Sequence, residues 1–478
     1  MTTTSDRIAD FTHLQARPNL IFARPGPRPG SGRTIGEVAP LRLADRPGTP
    51  LGIDRHQPLA RLPYPDRSTL GPDALAALVA AAGFQRYEPS NNYNAHRGYP
   101  SAQCLFPVEV FLCSDQGSWL LDASQHELRP TAGTAATADP SAATTLAVLG
   151  RPGKLPTYYR ELQWALTLCE AGHLTELLLS VAAALGFAPR LRLDFDDAAL
   201  LQRIGAEPDD PWLPAALVEL GSADLTLTGT ERARVEPADP VLAIDQLGWG
   251  HPLGTAEIRS EVGPGIEISL AEPSRSSSTS WADVLFERSS GRGTGGFAAA
   301  PDRLPGSTLA NAMQQLRTAA RQRWYQPSGS RAGQRVLAVV ERVDGLADGL
   351  YEWPLLEGPG RLRRAGRFLT GVQQAFFYPE TVTRVDTCNI VLLQVLDYAA
   401  IAAARGVRGL RASQLELGAL AQAAGLSMAA DGAFLRPCRS FDADRLAVLA
   451  ELSETETVSY LCLGGTSRFT DLLLDLRP

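Results

Sequence analysis

Glu170-Ala171-Gly172-His173-Leu174-Thr175-Glu176 returns 246 residues later as Glu416-Leu417-Gly418-Ala419-Leu420-Ala421-Gln422, with a glutamate, a glycine and a leucine in register. The same offset places Gly186 on Gly432, Phe195-Asp196 on Phe441-Asp442 and Leu200 on Leu446, with no gap. Chance accounts for some matches between Ala/Leu-rich helices, but hardly for Glu-x-Gly, a later Gly and Phe-Asp at one offset. A helix, a strand and a following helix are therefore duplicated. Two copies of one α+β unit are fused, so that a homodimer-like pair forms within one chain.

Outward from the repeat, 161–187 is apolar on most sides, which predicts a helix buried between layers. The spacing predicts a strand at 190–195, a helix opened by Asp196, and a closing segment at 208–222. Upstream, Ser68 is placed to cap an amphipathic helix over 71–82 that stops at Gly83. A polar loop, 87–98, leads to strands at 106–113 and 118–122, which read as a meander. Tyr99-Pro100-Ser101-Ala102-Gln103 precedes the first of these as Gln326-Pro327-Ser328-Gly329-Ser330 precedes a strand at 335–343. Gly349-Leu350-Tyr351-Glu352-Trp353 then answers Ser118-Trp119-Leu120-Leu121-Asp122. The expected organisation is a Pro/Gly-rich arm (1–60), a first unit (61–222), a connector (223–280) and a second unit (281–478). Each unit has an antiparallel sheet with surrounding helices.

The chain has 478 residues, 44% of them hydrophobic and 20% charged, with a formal net charge of −7. That balance gives a nucleic-acid polyanion no general attraction, although a local basic pocket stays open. The six cysteines (104, 113, 169, 388, 438 and 462) lie in apolar contexts with no CxxC, so neither zinc ligands nor a disulfide frame is expected. No run approaches the ~18 apolar residues that suggest a membrane span. Residues 1–10 lack a signal-like apolar core, and a cytoplasmic location is expected.

Phe286-Glu287-Arg288-Ser289-Ser290-Gly291-Arg292 sets two guanidiniums four residues apart with a hydroxyl between them. That pattern suits a compact dianion such as a phosphate monoester, and equally an exposed basic turn. The first unit has no counterpart: before its helix stands Leu59-Ala60-Arg61-Leu62-Pro63-Tyr64-Pro65-Asp66-Arg67. Gly291-Arg292-Gly293-Thr294-Gly295-Gly296 lacks the strand-to-helix setting of a dinucleotide fingerprint. Glu170 and His173, one turn apart, read as an acid/base pair or as a satisfied buried pair, with Glu416 of the same standing. His96 and Arg97 lie in a loop that could line an entrance.

Arg-x-Ser-x-Arg, Pro-Ser-Ala/Gly-x before a strand, Val343-x-Gly345-Leu346-x-x-Gly349-Leu350-Tyr351 and the Glu-x-Gly helix together resemble the nitroreductase-like flavin fold. More narrowly, they resemble the SagB-type azoline dehydrogenases. The resemblance covers about residues 60–222 and 281–470. It implies tandem nitroreductase-like units with FMN in the cleft between them, the phosphate held by Arg288, Ser290 and Arg292, with Arg468 a further contact. Pro100, Ser101, Ala102 and Gln103 would lie against the isoalloxazine. It also implies an azoline-containing precursor peptide and a cyclodehydratase as partners, and oxidation of thiazoline or oxazoline to the azole. The family's Lys-Tyr pair maps to Lys154, with Leu155 at the tyrosine position; Tyr158 and Tyr159 are the neighbouring candidates for the base. One FMN per chain is expected, the related second site being closed or degenerate. No metal, nucleic acid or membrane is implied, and the chain could act alone as a pseudo-dimer or associate further. The alternatives are a flavin oxidoreductase acting on a nitro, quinone or small amide substrate, and a flavin-free scaffold of the biosynthetic complex.

Overall fold

The computed structural model describes residues 41–51, 59, 66, 69–91, 93, 95–160, 162–206, 211–221, 266–268, 279–293, 296–324, 333–355, 358–469 and 471–477. Most of the arm and connector, Ser68, and Gln326 to Ser330 lie outside them.

Two seven-stranded sheets carry the duplication. The first runs Thr49–Pro50, Glu127–Pro130, Gly117–Asp122, Val108–Ser114, Thr145–Gly150, Leu213–Glu219 and Arg190–Arg192. The second runs Ile266–Ile268, Gly360–Ala365, Gly349–Trp353, Gln334–Val340, Ile390–Asp397, Glu456–Gly465 and Phe434–Cys438 in the same order. Every neighbouring pair in these two sheets is antiparallel. Even the irregularities repeat: the ladder slips between Val148 and Leu149 in one sheet and between Gln394 and Val395 in the other. These positions are again 246 apart.

Two long helices, Leu162–Ala184 and Tyr398–Ala430, cross between the sheets. The first is long and apolar enough to cross a membrane by length and composition, but most of its side chains are buried within the protein. The Glu-x-Gly repeat marks the crossing. A Cβ at Gly172 would stand 1.9 Å from the Leu415 carbonyl oxygen, and one at Gly418 would stand 1.8 Å from that of Cys169. Glycine is required in both because backbone meets backbone. The main core surrounds this crossing, and a smaller core lies on the far face of each sheet.

Asp196 and Asp442 each cap a helix, accepting from the N–H of Ala199 and of Asp444 and Arg445, respectively. Helix Pro72–Ala82 opens differently from expectation: its cap is Gly71, with no side-chain bond, and Pro72 starts the first turn. The expected loop 87–98 contains a strand, Ala95–Arg97, paired with Phe84–Tyr87. Leu474–Asp475 joins the other edge of that pair, so the tail of the second unit closes on the first. Short alternating strands of this kind leave little trace in a sequence when their partner is hundreds of residues away.

Candidate active site

A cavity of about 330 Å³ opens where the units meet. From the first unit it takes Pro100 to Cys104, Tyr159 and, on the long helix, Glu170 and His173. From the second it takes Arg288, Ser290, the strand end Arg436 to Ser440, and Tyr460.

Helix Trp281–Glu287, capped by Ser280, delivers Arg288. The following turn lies against Phe434, and a Cβ at Gly291, whose φ is +68°, would meet the phenyl ring at 2.6 Å. Arg288 is 3% exposed. It donates to the Ser290 hydroxyl at 3.4 Å and the Arg97 carbonyl at 3.3 Å, while its Nε has no partner. Among the described residues no carboxylate pairs with it. Glu88 is committed elsewhere, to Arg86 at 2.8 Å and His96 at 3.2 Å. Burial raises the Glu88 pKa, but His96, Arg86 and Asn91 together hold it down to about 2. Burial and the neighbouring Arg86 push the Arg288 guanidinium down to about 10. A buried cation without a counter-ion is costly, and a phosphate dianion would relieve that cost. Arg288 and Ser290 therefore fit the group the resemblance implies. Arg292 is described by its backbone alone, in the strand Arg292–Gly293. Arg468 is exposed, lies against the Phe469 ring at 5.5 Å and does not line the cavity.

The Pro100-Ser101-Ala102-Gln103 segment is one wall of the cavity. Gln103, Cys104 and Phe106 have φ of 54°, 53° and 47°, a left-handed conformation that costs a non-glycine residue about 1 kcal/mol or more. Ser101 Oγ accepts the Phe106 N–H at 2.9 Å. Gln103 donates to the hydroxyls of Tyr158 and Tyr159, the latter at 2.9 Å. Tyr159 lines the cavity, and burial pushes its pKa well up, so it stays protonated and can act as a donor.

Lys154 does not line this cavity. Its Nζ donates to the Phe106 carbonyl at 2.8 Å and to Glu109 at 3.0 Å, beside a second cavity of about 280 Å³. Leu155, at the tyrosine position of the family pattern, is fully buried in the core. His96 lines the main cavity and Arg97 the second.

Glu170 is 2% exposed and neither oxygen closes a hydrogen bond. Burial raises its pKa to about 8, against the pull of Ser101, Arg97 and Lys154. His173 is held neutral, lowered to about 3 by burial and by Arg288, and its Nε2 meets the Tyr460 hydroxyl at 2.9 Å.

Sequence reading missed Arg436, Arg439, Tyr460, Phe376 and Tyr378, which also line the cavity. Arg439 is 3% exposed, donates to Gln414 at 2.8 Å, and has no carboxylate among the described residues. Arg436-Pro437-Cys438-Arg439, where the first half has Arg190-Leu191-Arg192-Leu193, was the available signal.

The related place, where the two units exchange roles, is filled differently. Arg411, where the first long helix has Ala165, pairs with Asp197 at 2.7 Å and donates to the Pro214 carbonyl. Arg190 and Arg192 share Glu219 at 3.0 and 3.5 Å. Ala216 holds the ladder position of Tyr460.

No protein-family model matches the chain, and no curated protein matches it. Solved structures do. A putative nitroreductase from Anabaena variabilis superposes with a TM-score of 0.67 at 17% identity, over 96% of this chain and 99% of that one. A putative nitroreductase from Ralstonia eutropha, 18% identical, aligns over 45% of this chain and 99% of its own with a TM-score of 0.33. The E. coli microcin synthetase McbBCD complex with truncated pro-MccB17 bound aligns over 51% of this chain at 14% identity, TM-score 0.30. The fold is nitroreductase-like, with two units fused in one chain.

Proposed function

We propose that the chain is an FMN-dependent oxidoreductase that dehydrogenates azolines, thiazoline or oxazoline, to azoles in a ribosomally made peptide. The observation that carries the cofactor reading is the buried Arg288, with no carboxylate paired to it among the described residues, at a cavity built by both units. Arg288 and Ser290 would hold the phosphate, with Arg292 beside them in sequence. Pro100 to Gln103 would face the ring system. FMN, when bound, supplies a two-electron acceptor for hydride. The chain's own residues shape the rest: Gln103 fixes the two tyrosine hydroxyls, and Tyr159 offers a hydrogen-bond donor at the wall. The azoline reading rests on the sequence resemblance, which also suggests the precursor peptide and a cyclodehydratase as partners.

A second reading is favoured by one observation. Azoline oxidation needs a base for the ring Cα proton, and Lys154 lies outside the cavity lining. A nitro or quinone substrate needs hydrogen-bond donors to its oxygens instead, and the Tyr159 hydroxyl, kept protonated by burial, is one.

The absorbance spectrum of the purified chain comes first, and a flavin spectrum with released FMN is expected. Arg288→Ala with Arg292→Ala should then lower FMN retention at least about tenfold. Full retention would remove the phosphate assignment. Azole formation from an azoline peptide, set against NAD(P)H-driven reduction of a nitroarene, separates the two substrate readings.

A further inference from the structure

We propose that Lys154 is a positioning residue that clamps the strained wall of the cavity, rather than the base that removes a substrate proton. Its ammonium bonds the carbonyl of Phe106, the last left-handed residue of the segment that begins at Gln103. Glu109, 3.0 Å away, fixes the ammonium from the other side, and Arg151 holds the same carboxylate at 3.3 Å. The Arg151 N–H donates to the Pro107 carbonyl, so the short turn Pro152–Lys154 is tied to the same stretch at a second point.

Strained backbone persists only where its surroundings over-determine it. Here three ties converge. The Phe106 N–H goes to Ser101 Oγ, its carbonyl goes to Lys154, and its ring packs edge-on against Tyr99 and Phe84 at 5.7 and 5.6 Å. Releasing the carbonyl would let residues 103–106 relax toward ordinary φ. That movement would carry Gln103 away from Tyr158 and Tyr159 and change the wall on which Ser101 and Ala102 stand.

A base must reach the proton it takes. Two of the three ammonium donors are already bonded outside the main cavity, and the side chain borders the second cavity instead. The same space leaves room for a guanidinium, which gives the test its discriminating variant. Arginine keeps the charge and the donors and cannot serve as a base at neutral pH.

The experiment compares the wild-type chain with Lys154→Met and Lys154→Arg. Hydrogen exchange is followed at residues 101–106 with helix 162–184 as internal reference, beside turnover on whichever substrate the wild type accepts. The clamp predicts exchange in 101–106 faster by about tenfold in Lys154→Met, with the long helix unchanged, and recovery of both exchange and turnover in Lys154→Arg. Unchanged exchange in Lys154→Met overturns the proposal. So does Lys154→Arg with wild-type exchange but no turnover, the signature of a lost base. The proposal rests on the reading of this cavity as the active site only for turnover. Exchange requires neither cofactor nor substrate, so failure of the functional reading would be seen separately.

Lys154 is the only lysine of the chain, so [15N]lysine reports it alone. Its ammonium signal should be protected in the wild type and lose protection in Glu109→Gln. A signal equally unprotected in both also overturns the clamp.

Discussion

Glu170 and His173 sit one turn apart under the cavity, and burial drives their pKa values in opposite directions. Glu170 ionises at about 8 in the fold against an ordinary 4.5, so between those values the unfolded chain holds fewer protons. Its contribution to stability is therefore greatest below about 4.5 and declines until about pH 8. His173 ionises at about 3 against an ordinary 6.5, so the unfolded chain takes up a proton first as pH falls, and stability is lost through that window. Glu170→Gln should flatten the decline on the alkaline side, leaving the variant more stable than wild type near pH 8 by on the order of 1–3 kcal/mol. Urea midpoints measured from about pH 5 to about pH 8 check this; parallel curves for the two proteins would rule it out. The sequence offered two roles for the pair. Retention of Glu416 in the unit that has Ala419 in place of His173 favours an architectural glutamate, whereas His173, facing Tyr460, differs between the halves. Arg439 leaves no such trace, because an arginine looks alike in a sequence whether or not a carboxylate answers it. Asp197 answers Arg411 from 214 residues away.

At the scale of elements, the repeat was legible because duplicated helices keep their spacing. Asp196 and Asp442, Gly186 and Gly432, and the two ladder slips all fall at that spacing. The reason for Glu-x-Gly was not legible, because a glycine at a crossing is explained only by the other helix. Gly172→Ala and Gly418→Ala should each destabilise by about 3 kcal/mol or more, since backbone atoms cannot retreat as a side chain can. Gly425 lies in the second long helix, but the nearest atom to a Cβ there is 3.7 Å away. Gly425→Ala should therefore be neutral or stabilise by up to about 1 kcal/mol through helix propensity. Thermal unfolding of the three variants tests the crossing directly. A mild Gly172→Ala would mean that the helices can separate without loss. The strand Ala95–Arg97 is hidden within the expected loop 87–98 because the hairpin it forms with Phe84–Tyr87 is completed by Leu474–Asp475, hundreds of residues away.

For the whole molecule, the two halves form an internal control: what they share builds the fold, and what they do not share marks the site. On one side Arg288 and Arg439 are buried with no carboxylate among the described residues. On the other, Arg411 has Asp197, and Arg190 and Arg192 have Glu219. An anion entering the first place meets uncompensated charge, whereas at the second it would have to break ion pairs already formed. FMN added to cofactor-free chain should therefore saturate at one per chain, in a titration followed by quenching of flavin fluorescence. Two equivalents of similar affinity would contradict the asymmetry. Asp197→Ala leaves Arg411 buried without its counter-ion, bonded only to backbone carbonyls. It should cost about 3–5 kcal/mol of stability without changing the FMN count, because the pair closes a place that has no phosphate loop of its own. If that variant instead bound a second FMN, the ion pair alone would be what separates this fused chain from a symmetric dimer with two sites.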